Sequence, residues 1–178
     1  MPLNLKSEIK KGGCYVLVLP NKEYSRMILE TTKYLSSNYP RVCYVSLNRM
    51  YSTLAESLSR AKINTNNFLF IDALTQAATT KKPKESNCIY INSVAALTEL
   101  GIAISGALKT GKFDAILFDS LSTLLIYNKS TVVGEFTHSL INKIRALNVT
   151  AVFTALEEDT ESELLKKIGM SVDGIVHC

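Results

Sequence analysis

No glycine occurs from residue 14 through residue 100, and the 178 residues contain no tryptophan. Glycine lets the backbone turn through left-handed angles and close in on a ligand, so a glycine-rich loop is excluded from that whole stretch. Histidine is scarce, with two residues, and the four cysteines, Cys14, Cys43, Cys88 and Cys178, stand far apart. There is no C-x-x-C and no His/Cys ligand spacing, which argues against a metal site or a thiol nucleophile. No apolar run approaches the ~18 residues of a spanning helix. The first residues, MPLNLKSEIKKGG, lack the apolar stretch of a signal peptide. The expectation is a soluble, cytoplasmic protein without membrane contact. Net charge is only +4, from 20 basic and 16 acidic residues, which permits an anionic partner without demanding one. The densest basic run, Lys81-Lys82-Pro83-Lys84, lies in a polar stretch and reads as a solvated loop.

What the chain does have is apolar content. Hydrophobic residues make up 47% and charged residues 20%, enough for a sizeable core. The length suits one compact domain over residues 1–178. Apolar runs of strand length recur at 14–20, 41–47, 67–74, 88–92, 113–119, 149–156 and 172–178. Cys14, Cys43 and Cys88 sit in such runs and read as buried, reduced thiols. Between the runs lie segments of helical spacing. One runs over 24–39, and another is marked by Tyr51, Leu54, Ala55 and Leu58. A third is capped by Ser93 and runs through Lys109 to a stop at Gly111, and a fourth spans 130–147. Thr160 and Glu163 form a capping box for a short last helix. Residues 75–87 and the segment after Asp119 read as loops. Strands that are apolar throughout, alternating with helices, predict an α/β fold: an open three-layer α/β/α sandwich with a mainly parallel sheet.

In such folds ligands bind beyond the carboxyl ends of the strands. Those ends carry Asn21–Arg26, Asn48-Arg49, Asp72, Asp119-Ser120 and Glu157-Glu158. Asp72 and Asp119 both suit the capping of a following turn. Glu157, Glu158, Asp159 and Glu161 read as a solvated acidic loop near a helix N-terminus. Tyr24, Tyr51 and Tyr127 fall near the same rim, where they can pack, fill a ligand site or meet a protein.

Several stretches together carry a likeness. IKKGGCYVLVLP at 9–20, RVCYVSL at 41–47, FDAILFDSLSTLLIYN at 113–128 and VDGIVHC at 172–178 resemble, in order, elements of the RecA-like ATPases of the KaiC-like branch common in archaea. The stretch ending in Asp119 resembles the Walker B strand. The resemblance implies a nucleotide site, with a P-loop G-x-x-x-x-G-K-[ST] after the first strand and a magnesium-binding Asp119. At that place this chain reads Pro20-Asn21-Lys22-Glu23-Tyr24-Ser25-Arg26, without a glycine. A phosphate nest is costly to form there, and Glu23 would set a carboxylate beside the phosphates. The branch also carries an acidic pair after its second strand to polarise the attacking water; the matching positions are Asn48 and Arg49. Asparagine cannot serve as a general base.

The resemblance therefore implies a catalytically inactive RecA/KaiC-like domain that acts as a regulatory or signalling module without a cofactor. It binds a protein partner or self-associates, as family members that assemble into oligomers do. One alternative is an ATP-binding protein whose divergent phosphate site uses Lys22, Ser25, Arg26, Asp119 and Ser120, with magnesium on Asp119. A second is a nucleic-acid accessory protein.

Overall fold

The computed structural model describes residues 5–79, 85–159 and 162–178. Seven strands form one all-parallel sheet: β1 (Cys14–Leu19), β2 (Val42–Ser46), β3 (Phe68–Asp72), β4 (Cys88–Tyr90), β5 (Ala115–Asp119), β6 (Thr150–Leu156) and β7 (Gly174–His177). They lie in the order β4-β3-β2-β5-β6-β1-β7. The helices are α1 (Leu5–Glu8), α2 (Tyr24–Asn38), α3 (Tyr51–Arg60), α4 (Thr75–Ala78), α5 (Leu97–Lys109), α6 (Leu121–Tyr127), α7 (Ser130–Ala146) and α8 (Glu163–Gly169).

The uniform apolarity of the strands has a direct cause: both sheet faces are covered. Successive side chains of a strand point to opposite faces. In β1, Cys14, Val16 and Val18 join a core with residues of α5, α6, α7 and α8. Tyr15, Leu17 and Leu19 join a second core with residues of α1, α2 and α3. The result is the expected three-layer sandwich. Cys14, Cys43 and Cys88 are buried, Cys178 is partly so, and all four thiols are free.

Four local expectations change. The helix assigned to Ser93 starts at Leu97. The Ser93 hydroxyl instead accepts the Ala95 N–H at 3.1 Å, and its carbonyl accepts Ala96 N–H at 3.0 Å, so a separate turn precedes the helix. The segment after Asp119 is not a loop but α6, whose start is capped by Ser120 accepting the Thr123 N–H at 3.3 Å. Within 75–87, residues Thr75–Ala78 wind into one helical turn. The last helix is capped by Ser162, which accepts the Leu165 N–H at 3.3 Å. Thr160 and Glu161, like the basic run Lys81-Lys82-Pro83-Lys84, lie outside the described residues. Gly111 ends α5 as expected, at φ +65°, an angle that side-chain-bearing residues rarely adopt.

Candidate functional site

The carboxyl ends of β1, β2, β5 and β6 converge on Asp119. This residue is fully buried, on the sheet face shared with α2 and α3. Tyr44, Asn48 and Tyr24 close on its carboxyl group, and the Thr154 hydroxyl of β6 also interacts with it. Tyr44 donates its phenol O–H to Oδ2 at 2.7 Å. Asn48 donates an amide N–H to Oδ1 at 3.1 Å and another contact to the Tyr24 hydroxyl at 2.9 Å. The Tyr24 phenol also donates to Oδ1. Burial pushes the carboxyl up to about 8. The peptide between Asp119 and Ser120 is cis. Asp119 does not cap the next turn, contrary to its expected structural role; Ser120 does, because its hydroxyl reaches the first turn of α6.

Asp72 behaves as expected. Its Oδ1 accepts the Leu74 and Thr75 N–H groups at 2.7 and 2.9 Å, and its Oδ2 accepts the Tyr51 N–H at 2.7 Å. It thereby fixes both α4 and the start of α3.

The connection from β1 to α2 is a tight 3₁₀ turn, Asn21–Glu23, leading straight into Tyr24. Asn21 donates its amide to the Glu158 carboxylate, linking this turn to the segment after β6. Beside it lies a cleft of about 630 Å³ lined by Tyr24, Ser25, Asn48, Ser120, Ile126 and Glu158 among others. Of the sequence-derived phosphate candidates, Ser25 and Ser120 line this cleft, and Asp119 lies buried behind Tyr24 and Asn48. Lys22 and Arg26 do not line it. Arg26 faces its own helix, paired with Glu23 at 2.7 Å and Glu30 at 2.6 Å. The charged groups of the cleft, Glu158 and Asp159, are both acidic. Arg49 lies nearby, its positive charge acting on the Tyr44 phenol, while burial pushes that phenol strongly up. His138 is exposed, its ring in contact with Ser171 and Asn142. Among the described residues no group of three or more His, Cys, Asp or Glu is placed to hold a metal ion. No helix among them is long and apolar enough to cross a membrane.

Tyr44 is the site residue that sequence reading missed. One signal was present: a tyrosine inside a strand buried on both faces needs a partner for its hydroxyl.

The family of unknown function DUF7504 matches residues 13–178. The chain belongs to this family. No curated protein matches it. This DUF7504 chain is similar in structure to a KaiC-like protein from the hyperthermophilic archaeon Pyrococcus horikoshii, known from a crystal structure. The TM-score is 0.71 at 11% sequence identity, covering 95% of this chain and 73% of that one. At that identity the likeness establishes the fold, a RecA-like α/β sandwich, which this DUF7504 member shares.

Proposed function

We infer that this chain is a RecA-like scaffold with a degenerate Walker A segment, one that does not hydrolyse nucleotide and serves as a protein-binding or regulatory module. The observation that carries the reading is the state of Asp119. The carboxyl expected to face magnesium is enclosed by Tyr24, Tyr44 and Asn48. A dication there would have to break those contacts and enter a fully buried position. The remaining donor set does not suit a magnesium nucleotide either. The turn after β1 offers no glycine, and the adjoining cleft supplies carboxylates where a triphosphate needs cations. Asn48 has no basic oxygen with which to take a proton from water.

The test is calorimetric titration of Mg-ATP into the purified chain. The expected outcome is no saturable heat up to millimolar nucleotide. Saturable micromolar binding, abolished by Lys22→Ala or Ser25→Ala, would replace this reading with the ATP-binding one. A DNA gel shift that weakens steeply with salt would instead favour the nucleic-acid accessory role.

A further inference from the structure

Helices α5 and α7 pack side by side and leave a groove of about 540 Å³ between them. Its α5 wall carries Gly101, Ile102, Ser105 and Gly106, and its α7 wall carries Phe136 and Leu140. Ile102 is 68% exposed there. Glycine is a poor helix former, yet two glycines stand within α5. At Gly101 an added Cβ would meet Phe136 at 3.4 Å, but at Gly106 it would meet nothing within 4 Å. The packing of this chain therefore gives no reason for glycine at 106, and the space above it is open.

Charge is the second independent feature. The groove is lined by Lys109 and Lys143 and by no acidic residue. Both stand in the last turns of their helices. The Lys143 ammonium reaches the Ser105 hydroxyl at 3.5 Å, which brings it within one helical turn of Lys109. The positive charge is thus gathered at one end of a trough whose remaining lining is mostly apolar, with the hydroxyls of Thr98, Ser105 and Ser139 as its other polar groups. Its α5 wall spans residues 97–109, about 18 Å at 1.5 Å per residue.

We propose that this groove is a docking site for an amphipathic helix of a partner protein, whose apolar face lies over Ile102 and Gly106 and whose acidic residues meet Lys109 and Lys143. Three to four helical turns match the trough, and the open backbone at Gly106 admits a side chain from the incoming helix. A nucleic acid is a poor match, since two lysines at one end of the groove offer no continuous track for phosphates. The inference gives the protein-binding reading a surface and rests on it for the class of partner. Groove and strand-end cleft share no lining residue.

The experiment uses two fluorescein-labelled synthetic helices with the same leucine face, one carrying glutamates and the other lysines on its flanks. Anisotropy titrations against the whole chain are expected to show the acidic peptide binding at least tenfold tighter. Gly106→Leu fills the trough and should weaken it at least tenfold. The pair Lys109→Glu and Lys143→Glu should reverse the preference between peptides. If Gly106→Leu lowers the melting temperature, Ile102→Ser makes the same test from an exposed position. Equal binding of the two peptides, binding of neither, or indifference to both substitutions would overturn the proposal. So would a dimer in sedimentation that Gly106→Leu dissolves, because the occupant would then be a second copy. Failure of the peptides sinks the groove and leaves the nucleotide result standing. Saturable Mg-ATP heat sinks the inactive reading and leaves the peptide preference standing.

Discussion

Asp72 and Asp119 end the strands on either side of β2, and both stand in register with Ser46. Both are fully buried. Their surroundings differ in kind. Asp72 is met by three main-chain N–H groups and the Thr75 hydroxyl, which make its buried carboxyl group the organiser of two helix starts. Asp119 is met by two phenols, an amide and the Thr154 hydroxyl, all side-chain groups, and burial pushes it up to about 8. Main-chain donors are fixed by the fold and hold the Asp72 carboxyl group in place. Phenols and an amide supply no full positive charge, so they offset only part of the cost of burying the carboxyl, which is what pushes it up. One aspartate is a structural pin; the other closes a site from within.

The most severe way to break this comparison is Asp72→Ala. It orphans three backbone donors at once, and a stability loss of about 3 kcal/mol or more is expected in urea titration. A loss under about 1 kcal/mol would mean that water replaces the carboxylate, and the contrast between the two residues would collapse. Asp119→Ala should cost about 2 kcal/mol, chiefly by removing the shared acceptor of Tyr44, Tyr24 and Asn48, whereas Asp119→Asn keeps an acceptor and should stay within about 1 kcal/mol of wild type.

The pH dependence sharpens the point further. A carboxyl whose folded pKa is raised favours the fold while it stays protonated. The Asp119 contribution is therefore complete below its unfolded value near 4 and is lost as pH rises through about 8. The melting temperature of wild type relative to Asp119→Asn should fall between pH 5 and pH 9 in thermal scans. A constant difference would show that Asp119 is charged throughout. The smallest expected effect belongs to Tyr24→Phe, because Tyr24 is only partly buried: about 1 kcal/mol at most, with no Mg-ATP binding gained. Binding that appears on removal of that one hydroxyl would make Tyr24 a gate and not a permanent closure.

The sheet was legible because a strand covered on both faces must be apolar throughout, as RVCYVSL and FDAILFD are. The weak points were short helices. LSTLLIY at 121–127 has two turns and too few polar residues to mark a period, so α6 emerges only from the Ser120 cap and the burial of Leu121 and Leu124. Ser93 looked like a cap, but Val94 is buried at 3% exposure within a tight turn and the helix begins later. Of the residues named at the strand ends, Ser25 and Ser120 line one cleft and Asp119 lies buried beside it. The partners of Asp119 were hidden because residues 24, 44 and 48 meet it through strand register and the lie of α2, which no local spacing encodes. Lys22 and Arg26 were named for their charge, and charge alone says nothing about which way a side chain on the first turn of a helix points.

The burial of the cysteines carries a practical consequence. Loss of hydration pushes the Cys14 and Cys178 thiols up to about 11 and those of Cys43 and Cys88 up to about 12. Both shifts work against the thiolate, the form that reacts with maleimides. A single new cysteine at an outward position such as Ile102 should therefore take a dye ahead of all four native ones, and the labelled chain could be followed in a cell extract with the rest of its sequence untouched.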